Sequence, residues 1–208
     1  DSRKTLENDS NWFKLIRQGN KKLFKNEKIV CPGESKRNKF CLDEGNSYKF
    51  ARIASITSEN ENISLKYLLG IFNSKLIEIY LHSITPLKKG GYHSYSPSIL
   101  DKVPIPYASI DFQQPIIDEV EKILELNKNF DNEISSFQKW LKRTFEIDKL
   151  PKKLENYYEL DFEEFLQEVK KKKVDITKRK TQDLLEKEFN ESLEIIEPLQ
   201  RQIKETDD

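Results

Sequence analysis

The spacing of apolar positions changes part-way along the chain. From Glu27 to Gly33, "EKIVCPG" is a short apolar run closed by proline and glycine, the pattern of a strand ending in a turn. Tyr48 to Thr57, "YKFARIASIT", is a second extended segment rich in aromatic and β-branched residues. Before them, "WFKLIRQGNKKLF" from Trp12 to Phe24 predicts a short helix and a turn around Gly19. From Leu65 to Leu81, "LKYLLGIFNSKLIEIYL", apolar residues recur every three to four positions, which predicts a helix packed inward against the strands. Gly70 and Asn73 lower helix propensity and allow a break at "NS".

Pro104 and Pro106 then exclude helix interior and make "VPIP" a rigid tether. Helix resumes around Gln114, with Pro115 in its first turn, and Ile117, Val120, Ile123, Leu124, Phe130, Ile134, Phe137 and Leu141 keep near-helical spacing. That length predicts a helical hairpin arm or a coiled-coil strut, interrupted at Pro151. Beyond it, Tyr157, Leu160, Phe162, Phe165, Leu166 and Val169, then "TQDLLEKEFNESLEIIEPLQRQI", form a second helical unit. The expected class is α+β, a compact mixed domain followed by a predominantly helical arm. Its expected divisions are a connecting segment (1–24), the mixed domain (25–112), a long helix or hairpin (113–150) and a helical C-terminal segment (151–208).

Composition sharpens this picture in two ways. Charged residues, at 35%, nearly equal the 36% that are hydrophobic, so the core is modest, although 12 Phe, 8 Tyr and 2 Trp supply large apolar surfaces. The net charge of zero also hides an asymmetry: residues 1–110 carry 18 Lys+Arg against 11 Asp+Glu, and the remainder 18 against 25. The basic half is therefore the one to test against nucleic acid, and the acidic half suits support, spacing or self-association. Cys31 and Cys41 fit no closed zinc site beside only His82 and His93, and a reduced cytoplasmic protein is expected. No apolar run reaches membrane-spanning length. The opening "DSRKTLENDS", without an initiating methionine, suggests a piece of a longer protein.

The chemistry concentrates at "KKGGYHSYSP", Lys88 to Pro97. Lys88 and Lys89 suit phosphates; Gly90 and Gly91 permit positive φ and close approach of the backbone; Tyr92, His93, Ser94 and Tyr95 offer hydroxyl, imidazole and aromatic groups. A glycine turn whose aromatics fold back on the domain is the plain alternative, and a mixed arrangement puts the lysines outside and Tyr95 inside. A second basic loop, "ESKRNKF", adds Lys36, Arg37 and Lys39. Lys170 to Lys173 invite a nucleic-acid reading, but also suit the last turn of an acidic helix, where exposed carbonyls favour cations. The chain lacks GxxxxGK[ST], GxGxxG and HExxH, and its carboxylates form no pair that separates an acid from a base. No catalytic, metal-binding or cofactor-binding residue is assigned.

The order "KYLLGIFNSKLIEIYLH", "GGYHSYSPSILDKVPIP", "QQPIIDEVEKIL" resembles the C-terminal specificity region of TaqI-like and Eco57I-like DNA methyltransferases and fused type II restriction-modification enzymes. Tyr67, Leu68, Leu69, Asn73 and Ser74 match the helix closing that domain, and Pro104, Ile105, Pro106 and Gln114 match its exit into helices. "YYELDFEEFLQEVKKKKV" is similar to the tail that follows it, so the likeness covers roughly residues 25–205. It implies sequence-specific recognition of double-stranded DNA for an upstream methyltransferase domain of the same polypeptide. That domain would use S-adenosylmethionine, with magnesium if a nuclease is fused. The family's catalytic Asn-Pro-Pro-Tyr motif is missing, and "VPIPY" does not replace it. Within the recognition role, Lys36, Lys39, Lys88 and Lys89 are expected on phosphates, and Arg37, Tyr92 and His93 on base edges. Gly90, Gly91 and Tyr95 complete the expected surface. One half of a type I specificity subunit, or a helical assembly module without DNA contact, are the other readings.

Overall fold

A computed structural model describes residues 25–45, 53–58 and 60–207. The chain divides into two compact units, Asp1–Ile117 and Asp118–Asp208. The helix expected over Trp12 to Phe24, and the first part of the Tyr48 to Thr57 strand, lie outside the described residues.

The first unit is mixed. β1 (Lys28–Pro32) is the middle of a three-stranded antiparallel sheet with β3 (Cys41–Asp43) and β4 (Ile53–Ile56) on either side. Val30 pairs with Cys41 on one edge and Ser55 on the other. Ile29 and Cys31 alternate onto the buried face as period-two geometry requires, and neither cysteine is in a disulfide. Lys28 is also buried, and its ammonium is paired with Asp43 on β3 at 2.6 Å. A buried charge needs such a partner.

The expected helix over Leu65 to Leu81 is two helices, α1 (Leu65–Asn73) and α2 (Lys75–Ile84), broken at Ser74. Ser74 makes the break: its hydroxyl donates to the Ile71 carbonyl at 2.7 Å and accepts from the Ile77 amide, capping α2. α1 packs on β1 and β3, burying Tyr67, Leu68, Leu69 and Phe72. A two-residue pair, β2 (Glu34–Ser35) with β5 (His93–Ser94), and a single turn of helix, α3 (Pro97–Leu100), complete the unit.

The long helix α4 (Ile110–Thr144) begins four residues before the expected start at Gln114. Phe112 and Gln113 already donate to the Ser109 carbonyl, so Pro115 stands in the second turn, not the first. Gln113 explains the early start. It is 1% exposed, its amide donates to the carbonyls of Asn62 (2.7 Å) and Ala108 (2.9 Å), and its oxygen accepts from the Ser64 amide at 3.0 Å. Three satisfied bonds fix the chain where it leaves the tether, and the Tyr67 hydroxyl holds the Pro106 carbonyl at 3.0 Å beside it.

The second unit is helical: the remainder of α4, α5 (Lys152–Glu155, after Pro151), a 3-10 turn (Tyr157–Glu159), α6 (Phe162–Lys170) and α7 (Arg179–Asp207). Its core joins Phe137 and Leu141 of α4 to Leu154, Tyr157, Phe165 and Phe189. Phe137 stacks on Tyr157 at 4.0 Å, and Phe165 on Phe189 at 4.7 Å. Burial pushes the Tyr157 hydroxyl's pKa well up, and that hydroxyl is bonded to Ser192, which donates to Glu133 at 2.7 Å. The observed architecture is the α+β order read from the sequence. Among the described residues no helix is long and apolar enough to cross a membrane, and no cluster of three or more His, Cys, Asp or Glu is arranged to hold a metal.

Candidate nucleic-acid interface

β2 and β5 are too short to stabilise much by themselves, but they bring the two basic loops side by side. Glu34 pairs with Ser94 and Ser35 with His93, and the Tyr95 amide extends the ladder to the Gly33 carbonyl at 2.9 Å. Residues 33–39 and 88–95 therefore share one edge of the first unit.

The second loop closes on itself. Lys88 donates its amide to the Tyr92 carbonyl at 2.8 Å, and Gly91 donates to Lys88 at 3.1 Å. Between them Gly90 and Gly91 have φ of 86° and 80°, a region where a side chain would be strained. Side chains tie this loop to its neighbour. Lys88 Nζ lies 2.7 Å from Glu34 Oε1, and Lys36 Nζ sits 5.5 Å from the centre of the Tyr92 ring. Lys36, Lys39, Lys89, Gly90 and Gly91 are exposed, Lys88 and Tyr92 are each 42% exposed, and Arg37 is 82% exposed. Tyr92 also borders a 660 Å³ cleft with Gly33, Glu34, Ala54, Tyr95 and Ser96.

Tyr95 is different. At 1% exposure it is a core residue, packed edge-on against Phe40 at 5.9 Å, so direct contact with a duplex is ruled out for it. Its hydroxyl supports the loops from beneath, donating to Asn38 Oδ1 at 3.0 Å. Asn38 is locked on three sides: its own amide nitrogen donates to the Phe72 carbonyl at 2.6 Å, and its backbone N–H donates to Glu78 Oε2 at 3.1 Å. The other Glu78 oxygen lies 3.9 Å from Arg37 Nε, a loose ion pair on an exposed side chain. Burial, with Glu78 and Cys31 nearby, pushes the Tyr95 hydroxyl's pKa up to about 12.

Hydrogen-bond accounting assigns both histidine tautomers. The Thr85 hydroxyl has one proton, directed to the Leu81 carbonyl at 2.8 Å, so His93 Nδ1 must be the donor in its 2.9 Å contact with Thr85. In the neutral ring His93 Nε2 is then the acceptor. Tyr95 spends its proton on Asn38, so His82 Nε2 is the donor in the 3.4 Å contact with Tyr95. The two rings stack at 3.8 Å, and burial, then the neighbouring His93, lowers the His82 pKa, against a smaller opposing effect of Glu78.

Two positioning residues escaped the sequence reading. Asn73, matched there only as part of a helix, accepts from the Phe40 amide at 3.1 Å and donates to the Phe40 carbonyl at 2.9 Å, clamping the end of the first loop to α1. Glu78 had no assigned role; an acid exposed to Arg37 at one oxygen and bonded to backbone at the other leaves no periodic signal.

Fold and site together define a small-sheet α/β unit that presents two apposed basic loops, followed by a separate helical unit. The family comparison agrees: residues 3–105 match the family model of the TaqI-like C-terminal specificity domain, and the chain carries such a domain over those residues. Residues 109–208 match a domain of unknown function (DUF8810). No curated protein matches the chain.

Proposed function

We propose that the first unit recognises a specific sequence in double-stranded DNA and orients it for a catalytic domain elsewhere in the parent protein. The observation that supports this reading is the pairing of β2 with β5, which brings the loop carrying Lys36 and Arg37 next to the loop carrying Lys88, Lys89 and Tyr92. The lysines neutralise phosphates on any duplex; the groups with fixed geometry discriminate. Arg37, exposed and only loosely paired with Glu78 at 3.9 Å, has a planar guanidinium suited to guanine O6 and N7. His93, with Nδ1–H committed to Thr85, offers Nε2 to an exocyclic amine of adenine or cytosine. Tyr95 and Asn38 hold this arrangement rigid. The parent protein on this reading is an S-adenosylmethionine-dependent methyltransferase, with a magnesium-dependent nuclease where one is fused.

The test is fluorescence titration of cognate and unrelated duplexes at several salt concentrations, with the isolated chain and the parent-length protein. Lys88→Ala with Lys89→Ala should weaken binding to all duplexes alike and lower the magnitude of the log K against log salt slope by up to about 1.8. Arg37→Ala or Tyr92→Ala should also reduce discrimination, by about 1–3 kcal/mol for a lost bidentate base contact. Unchanged slope and affinity in the double-lysine variant, with folding intact, would reduce the loop to a structural turn.

A further inference from the structure

The helical unit gathers cations at one turn. Residues 170–180 hold seven Lys or Arg and a single acid, Asp175, in the half of the chain whose overall balance is acidic. The turn is ordered by its own bonds. Lys173 takes a left-handed φ of 64°, Asp175 accepts the Thr177 amide at 3.1 Å, and Gln182 Nε2 donates to the Ile176 carbonyl at 2.8 Å. Val174 and Ile176 pack against the helical core. The apolar residues of the turn are thus drawn inward and its cations left at the surface.

The end of α6 explains part of this charge. Exposed carbonyls there favour Lys170 to Lys173, and Lys171 is committed to the buried Glu168 at 2.7 Å. The same explanation fails at the start of α7. Lys178, Arg179 and Lys180 stand at the positive end of a 29-residue helix whose first turn contains no acid, where the helix dipole disfavours cations. Asp175 and Asp183 lie 3.4 Å from Lys178 and 3.8 Å from Arg179, but these pairs are exposed and stabilise little. Arg179 is 94% exposed. Cations held against a dipole on an ordered turn are available to an anion from outside.

We propose that the turn between α6 and α7 is a second contact for duplex DNA, in which Lys170, Lys172, Lys173, Lys178, Arg179 and Lys180 lie along backbone phosphates without reading bases. A phosphate backbone is the occupant this chemistry fits. No large exposed apolar side chain lies within residues 170–180 to enter a lipid surface or receive the side chains of an acidic peptide, whereas phosphates require only distributed positive charge. The proposal stands apart from the loops of the first unit, and either can fail alone.

The test uses the full chain and a fluorescein-labelled duplex of arbitrary sequence, titrated from low to moderate salt. Lys172→Ala, Lys173→Ala and Lys180→Ala are combined, leaving Lys153 and Lys171 because they hold Glu168. A control with the same change of charge combines Lys122→Ala, Lys128→Ala and Lys204→Ala, all exposed and elsewhere. The turn variant should lower the magnitude of the salt slope by up to about 2.7 and raise Kd at least tenfold at low salt, and the control should do neither. Lys180→Ala alone should weaken binding without lowering the thermal midpoint, because it removes a cation the helix dipole disfavours. Equal effects of turn and control variants would overturn the proposal, as would a loss confined to the Lys88→Ala, Lys89→Ala variant measured alongside. Capture of the turn by polyglutamate as strongly as by duplex at matched charge would assign it to an acidic protein instead and overturn the DNA contact.

Discussion

Tyr95→Phe deletes one oxygen atom from beneath the two loops and leaves the ring in its packing against Phe40. The hydroxyl's bond to Asn38 is lost, a net ~0.5–1.5 kcal/mol, and Asn38 Oδ1 is stranded. Asn38 cannot turn its amide to compensate, because its nitrogen is held by the Phe72 carbonyl at 2.6 Å. A fully buried stranded acceptor costs about 1–3 kcal/mol; Asn38 is only partly buried, so the total for the variant is set at about 1–2 kcal/mol. Native-state hydrogen exchange at the β1 amides of Ile29 and Val30 reads the first unit separately from the helical one. Protection there should fall by roughly 5–30-fold, the ratio that 1–2 kcal/mol implies. The alkaline limb supplies a second readout. With its pKa up to about 12 in the folded state, Tyr95 ionises first in the unfolded chain, near its ordinary value of 10.0. Its contribution is therefore complete below pH 10 and is lost as pH rises towards 12. Urea midpoints should decline less steeply over that interval in the Phe variant. Unchanged β1 protection together with an unchanged alkaline limb would refute the network described around Tyr95.

Gln113→Leu leaves the Ser64 amide and the Asn62 and Ala108 carbonyls without their partner, and should destabilise the first unit by at least ~2 kcal/mol, measured by urea denaturation; a loss below ~0.5 kcal/mol would mean water replaces the amide freely. His82 has a lowered pKa, so the unfolded chain takes up its proton first: stability is complete above pH 6.5 and falls as the solution is acidified below it, and His82→Gln should flatten that decline in thermal melts between pH 7 and 5. Leu154→Ala opens a cavity at a fully buried position of the helical core and should cost about 2–5 kcal/mol by chemical denaturation, with no change in the exchange of the β1 amides.

The elements with a strong local signal were legible in the sequence. β1 is closed by its own proline and the glycine after it, and the α1 and α2 stripe is long enough for its period to be counted, including the weak point at Asn73 and Ser74. The helical second half follows from sustained 3.6-residue spacing. What escaped has no period. β2 and β5 have two residues each, too few for alternation, yet their pairing creates the candidate interface. The start of α4 was misjudged because Pro115 reads as a first-turn residue, while the deciding term was Gln113, whose three partners lie 5, 49 and 51 positions away. For the same reason Tyr95 reads from sequence either as part of the contact surface or as a residue packed inside. An aromatic hydroxyl in a basic loop suits DNA and core equally well, and only Asn38, 57 positions distant, decides between them.

Glu34 changes the meaning of the lysine beside it. Its carboxylate lies 2.7 Å from the Lys88 ammonium. At a distance the two charges largely cancel, so on the proposed reading Lys88 adds little to long-range attraction, which falls to Lys89 and Lys36. A phosphate would reach Lys88 by displacing this resident carboxylate, and because the pair is exposed the exchange costs little. The lysine would then act at contact rather than at range, on every duplex alike.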